Sequence, residues 1–443
     1  MKRINIEKLI SWSSKKRRFP LIIKGARQVG KTYLVREFGS KYFPNLHEFN
    51  FESDPRLRSL FDSDLNPQQI IRQIELVFGT QIKGDDLLFF DEIQECPRAI
   101  TALKHFAEYL PSQPVIAAGS LLGVSLPSYS FPVGKVEHLW LGPLTFSEFL
   151  SGTEESGALE ILEEAEKNLK ISHFGHQRLW ELFKAYSMTG GLPNAVLAYT
   201  QHKENISIGL QAAREVQLGL VRDYTSDFSK YTEKLNASHI RTVYENIPEQ
   251  LSASEDRSSK KYAFGKVIPN RSGYADLRGP IDWLVRAGLI YRIPIANKAE
   301  IPLRAFCKDN FFKLYHFDIG MLGALLRLPP ASIIANDYGM SRGFFAEALA
   351  LQGLVADDLD YPACWMEGQS EIEFIHTGAH GLVPIEVKSS TRTKSKSLAA
   401  YIKRYSPRLA VKLANRLPEY DAQTKTWTLP LYMAPTVRKL EPR

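Results

Sequence analysis

Pro20 to Gly39 reads PLIIKGARQVGKTYLVREFG: a short apolar run, a glycine-bearing loop, then a stretch with helical spacing. Within it, Gly25-Ala26-Arg27-Gln28-Val29-Gly30-Lys31-Thr32 fits G-x-x-x-x-G-K-[ST] and lies between strand and helix, where a phosphate-binding loop has to lie. Glycines at 25 and 30 let the backbone curl so that its N–H groups face phosphate oxygens, and the helix that follows adds the positive end of its dipole. In that arrangement Lys31 reaches the β- and γ-phosphates and the Thr32 hydroxyl binds Mg2+. The expected nucleotide-binding stretch is Gly25, Ala26, Arg27, Gln28, Val29, Gly30, Lys31, Thr32 and Tyr33. Arg27 reads either as a nucleotide contact or as part of a domain-facing ion pair.

Around this loop, residues 20 to 145 alternate apolar runs with helical patterns, the signature of α/β layering. Strands are expected at Pro20–Lys24, His47–Phe51, Leu87–Asp91, Val115–Gly119 and Val136–Leu141. The third and fourth are nearly continuous apolar runs, as in strands covered by helices on both faces, so a doubly wound parallel sheet follows. The third ends in two carboxylates. Asp91 can complete a magnesium shell with Thr32, and Glu92 can polarise an attacking water, because strand ends in such sheets form the ligand-binding rim. The fourth ends at Ser120, which is either a γ-phosphate or water sensor or an isolated serine.

The chain has 443 residues, 44% of them hydrophobic and 24% charged, enough for more than one core and unlike a disordered or fibrous protein. The net charge of +7 permits a polyanionic partner without requiring one. Cys96, Cys307 and Cys364 are too far apart for a CxxC metal or redox pair and imply a reducing compartment. Without a signal-peptide core or an apolar run of about 18 residues, the expected location is the cytoplasm, away from any membrane.

Beyond the sheet, Glu148 to about Ser238 has helical spacing throughout and reads as a lid or linker domain. Residues 238 to 295 give helix, polar loop, helix and then SGYADLRGPIDWLVRAGLIYRIP, a helix before a short strand, which is similar to a winged helix. Such a module either contacts DNA or serves as a packing platform. The last segment returns to α/β, with a helix at Gly343–Leu354, strands in ACWME, EIEFIHT and VPIEVKSS, and a helix in KSKSLAAYIKRY. The expected domains are 1–147, 148–237, 238–330 and 331–443.

GARQVGKT, FFDEIQ and AAGS, followed by LGPLTFSEFL at Leu141–Leu150 and GGLPNAV at Gly190–Val196, together resemble a prokaryotic AAA-type ATPase family whose C-terminal half ends in a restriction-nuclease-like fold. The resemblance runs over nearly the whole chain. It implies ATP binding, hydrolysis, a P-loop sheet, a winged-helix segment and homo-oligomers. It also places Gly30, Lys31, Thr32, Asp91, Glu92 and Ser120 at the family's motif positions, with Lys31, Glu92 and Ser120 as catalytic residues.

Glu347 on a helix, Glu373 in EIEF and Glu386-Val387-Lys388 follow the order of a PD-(D/E)xK nuclease site, whose carboxylates collect a divalent metal beside a lysine on the same strand face. The resemblance leads to Asp where Glu373 stands, one methylene shorter. The alternative is a solvated or vestigial cluster. Lys388, Arg392, Lys394, Lys396, Lys403 and Arg404 form either a phosphate-backbone footprint or a solvated basic face. Three functions remain open: an Mg-ATP hydrolase that moves its other domains, with DNA as a candidate partner; a nucleotide-gated assembly switch; and an ATP-controlled nuclease.

Overall fold

The computed structural model describes residues 1, 3–62, 64–120, 132–230, 234–255, 261–265, 267–329, 343–356, 361–389 and 395–442. Contacts divide the chain into two compact units, residues 2–142 with 286–288, and residues 143–285 with 289–443 and Met1. Among the described residues no helix is long and apolar enough to cross a membrane.

The first unit is built on β1 (Leu21–Lys24), β2 (Leu46–Asn50), β3 (Leu87–Asp91), β4 (Val115–Gly119) and β5 (Glu137–Trp140). They form one parallel sheet in the order β2-β3-β4-β1-β5. The five strands expected from sequence are all present, with ends moved by one residue at β1, β2 and β5. Every residue of β3 and β4 is buried, as their unbroken apolar runs require. Flanking helices are α1 (Ile6–Ser13), α2 (Lys31–Tyr42), the short α3 (Arg56–Ser59), α4 (Pro67–Phe78) and α5 (Pro97–Tyr109). Phe90 of β3 sits at the centre of the core, with Phe51, Phe61 and Phe106 rings edge-on to it at 5.9, 6.0 and 6.0 Å. Rings packed at these distances fix the strand on which Asp91 and Glu92 are carried.

The second unit begins with helices α6 (Phe146–Gly152), α7 (Ser156–Asn168), α8 (His173–Thr189), α9 (Pro193–Thr200), α10 (Ile206–Lys230) and α11 (Lys234–Glu255). Thr145 and Glu148 close a capping box at the start of α6, so the LTFSEF stretch is a helix start. Next come α12 (Tyr274–Arg286), β6 (Ile290–Ala296), β7 (Cys307–His316) and α13 (Ile319–Leu325). After them lie α14 (Gly343–Leu354), β8 (Ala363–Glu367), β9 (Ser370–Gly378), β10 (Gly381–Val387), α15 (Lys396–Tyr405), β11 (Ala410–Ala414), β12 (Glu419–Asp421) and β13 (Thr426–Pro430).

These strands make one mixed sheet of eight, ordered β12-β13-β11-β10-β9-β8-β6-β7. The β6–β7 hairpin of the winged-helix-like segment is therefore not free-standing. Strand β6 pairs antiparallel with β7 and also parallel with β8, continuing the C-terminal sheet. In β6 itself, IYRIPIA, five of seven residues are buried, including Tyr291, Ile293 and Ile295 along one face, as suits a strand with neighbours on both edges.

The turn in GGLPNAV is pinned from within this unit. The Gly191 N–H donates to Asp318 Oδ2 at 2.7 Å, and the Gly191 carbonyl accepts from Leu144 N at 2.6 Å. A Cβ on Gly191 would lie 2.2 Å from the Leu144 carbonyl oxygen, so only glycine allows the approach. Asp318 is fully buried and also accepts from Met321 N and Gln352 Nε2, at 3.1 and 3.4 Å.

Candidate functional site

The loop between β1 and α2 has the conformation its glycines predict. Gly30 sits at the start of α2 with φ 93°, a left-handed value that a side chain would strain. Ala26 and Val29 bury their side chains, which leaves their backbone to line the loop. Arg3 braces it from behind, donating to the Val29 and Gly142 carbonyls at 3.1 and 2.7 Å. Lys31 is buried, with Nζ donating to the Gly25 and Ala26 carbonyls at 3.1 and 2.9 Å. Burial pushes its ammonium down to about 8, against Glu92 and Asp91, which hold it up, while the Arg27 charge lowers it further. Arg27 is half-buried with its charge near Lys31, whereas Gln28 and Tyr33 are exposed.

The acidic strand end meets the loop directly. Thr32 Oγ1 donates to Asp91 Oδ2 at 2.9 Å, and Asn50 Nδ2 reaches the same oxygen at 3.3 Å. Burial and then the neighbouring Glu92 push the Asp91 carboxyl up. A hydroxyl and a buried carboxylate under electrostatic pressure are hard oxygen donors, so the pair fits Mg2+. Glu92 has left-handed backbone, φ 48° and ψ 43°, which turns its side chain out of the sheet's alternation. Its Oε2 accepts from Gln94 Nε2 at 2.6 Å and from Ser120 Oγ at 3.2 Å. The structure thus brings together Lys31, Thr32, Asp91, Glu92 and Ser120. Gln94 and Arg3, which the sequence analysis did not single out, complete the arrangement. Neither carries a local signal, because a glutamine in a 3₁₀ turn and an arginine near the N-terminus belong to no spacing rule.

The C-terminal carboxylates also assemble, within the second unit. Glu347 lies on α14, Glu373 on β9 and Glu386 on β10, with Lys388 just beyond it. Lys388 pairs with Glu386, and Glu373 Oε2 accepts from Val387 N at 3.1 Å. Burial, then the charges of Glu386 and Glu347, push the Glu373 carboxyl well above the usual range. Three residues not named as candidates in the sequence reading, Lys313, Glu371 and Tyr315, enter the cluster. Lys313 of β7 lies 3.2 Å from Glu347 and 2.7 Å from Glu371, and Tyr315 OH donates to Glu347 Oε2 at 2.8 Å. Among the described residues, no group of three or more His, Cys, Asp or Glu side chains is arranged to hold a metal ion.

Of the basic run, Arg392 and Lys394 lie outside the described residues. Arg404 pairs with Glu367 at 2.7 Å, and Lys396 and Lys403 are exposed on α15.

Residues 17–150 match a family described as an AAA domain, and residues 180–332 match one described as a domain of unknown function. With the parallel sheet, the loop and the acidic strand end, this defines an AAA-type P-loop ATPase domain in the first unit. A Walker-type ATPase of Pyrococcus abyssi is similar in structure, at 14% identity and TM-score 0.45, over 73% of this chain and 95% of that one. The Thermotoga maritima RuvB Holliday junction branch migration motor gives 15% identity and TM-score 0.33, over 66% and 90%. The Aeropyrum pernix ORC1 protein in complex with DNA gives 11% identity and TM-score 0.29, over 74% and 93%. No curated protein matches the chain.

Proposed function

We propose that the protein is an Mg-dependent ATP hydrolase of the cytoplasm, working as a homo-oligomer and coupling turnover to movement of its other domains on DNA. The observation that carries the reading is the continuous polar path from Thr32 through Asp91 and Glu92 to Ser120, joining the phosphate loop to two neighbouring strand ends. In it, the backbone of Gly25–Tyr33 and the Lys31 ammonium hold the nucleotide's phosphates, with Arg27 at their margin. Thr32 and Asp91 hold Mg2+, which when bound neutralises charge on the phosphates. Glu92 takes up the proton of the attacking water, and Ser120 and Gln94 hold the carboxylate in place until then.

The test is phosphate release from Mg-ATP by wild type, Lys31→Ala and Glu92→Gln, each with and without duplex DNA. Turnover should vanish in Lys31→Ala and fall at least about a hundredfold in Glu92→Gln, which should still bind ATP. A Glu92→Gln protein as fast as wild type removes the role given to Glu92. Turnover indifferent to DNA removes the DNA coupling, and a wild type no faster than Lys31→Ala removes hydrolysis itself.

A further inference from the structure

The second unit's carboxylate cluster has one more carboxyl group than the sequence order announces, because Glu371 stands two residues before Glu373 on β9 and points to the same face. Four carboxylates, Glu347, Glu371, Glu373 and Glu386, thus converge on a largely buried region. Such a concentration needs cations. One is Lys388, paired with Glu386. The other comes from a different segment. The Lys313 side chain, only 7% exposed, reaches from β7 to Glu347 on α14 and Glu371 on β9.

We infer that Lys313 is the resident cation of this cluster, supplied by the β6–β7 hairpin in the place where the sequence pattern calls for a divalent metal. The oxygens bear this out. Glu347 Oε2 is shared by the Lys313 ammonium and the Tyr315 hydroxyl. Glu373 turns one oxygen to a backbone N–H, and Glu371 closes the ion pair. Among the described residues, Glu386 Oε2 is the oxygen of these four carboxylates that is buried without a hydrogen-bond partner. Three of the four carboxylates, Glu347, Glu371 and Glu386, are therefore already committed to two lysines, and the β6–β7 hairpin, joined to the sheet by the pairing of β6 with β8, is what brings the first of them in.

This inference stands apart from ATP hydrolysis and concerns only the second unit. It predicts that removing the ammonium opens a metal site, because Glu347 and Glu371 are released beside the free oxygen of Glu386. Mn2+ is titrated into the full chain without nucleotide and followed by electron paramagnetic resonance, for wild type, Lys313→Met, Lys313→Arg, Glu347→Gln and the double variant Lys313→Met/Glu347→Gln. Any ion held at Thr32 and Asp91 is common to all five and cancels in the comparison. Lys313→Met should gain one Mn2+ site at least tenfold tighter than any in wild type, lost again in the double variant, while Lys313→Arg should gain none. A folded Lys313→Met without the gain overturns the inference. So does a wild-type Mn2+ site that Glu347→Gln alone abolishes, and that comparison decides the matter even if Lys313→Met fails to fold.

Discussion

The buried Lys31 ammonium makes nucleotide affinity a function of pH with a sign that can be worked out in advance. Its hydrogen-bond acceptors are the two loop carbonyls of Gly25 and Ala26, and burial pushes it from 10.5 to about 8. Phosphates set against it restore the charged form, so binding takes up a proton wherever the free protein has lost one. With a value of about 8, roughly three-quarters of Lys31 is charged at pH 7.5 and about one-tenth at pH 9. If only the charged form binds, affinity should fall about eightfold across that interval. Calorimetric titration of wild type with a non-hydrolysable ATP analogue, in two buffers of different ionisation enthalpy, reads both the affinity and about one proton taken up at pH 9. Folding responds oppositely. Between about 8 and 10.5 the folded chain binds fewer protons at Lys31 than the unfolded chain, so nucleotide-free stability rises with pH by up to roughly 3 kcal/mol. An affinity constant from pH 7.5 to 9, or the same slope in Lys31→Met, would refute the argument.

Two further outcomes concern the pinned turn of the second unit. Gly191→Ala places a methyl carbon 2.2 Å from the Leu144 carbonyl oxygen and forces apart the hydrogen bonds to Leu144 and Asp318, so thermal denaturation should show a loss of at least about 3 kcal/mol. Asp318 is held by burial at about 6 instead of 3.8, despite its backbone donors. The folded chain then binds more protons there than the unfolded chain between those values. Stability from this group is full below about pH 4 and declines by roughly 3 kcal/mol as pH rises through about 6. Asp318→Asn should flatten that limb in denaturant titrations at successive pH values, and an unchanged limb would assign it to another group.

How far the sequence could be read depended on how local each feature is. The strand, loop and helix around Lys31 are consecutive, and β3 and β4 show their burial in uninterrupted apolar runs, so the five strands could be placed almost to the residue. The carboxylate order of Glu347, Glu373 and Glu386 was legible for the same reason, since strand alternation and the ExK spacing are local. What could not be read is whatever depends on strand order. FFKLYH gives no hint that its lysine is a counter-ion, because β7 becomes a neighbour of the C-terminal strands only through the pairing of β6 with β8. Likewise GGLPNAV marks a resemblance without revealing that its turn is fastened to an aspartate 127 positions away.

That non-local origin bears on how the Lys313 cluster should be understood. A lysine buried to this degree loses hydration that only close carboxylates can replace, and here Glu347 is foremost in holding it charged against its burial. The dependence is mutual. Without Lys313, Glu347 keeps a single hydroxyl donor and Glu371 no cation, so the cluster would protonate, recruit an ion from solution or open. A metal-binding cluster and a lysine-neutralised one can therefore share the same carboxylate spacing, and the residue that distinguishes them lies on a strand from another part of the chain. Motif order alone cannot separate the two; the identity of the cation at the end of β7 can.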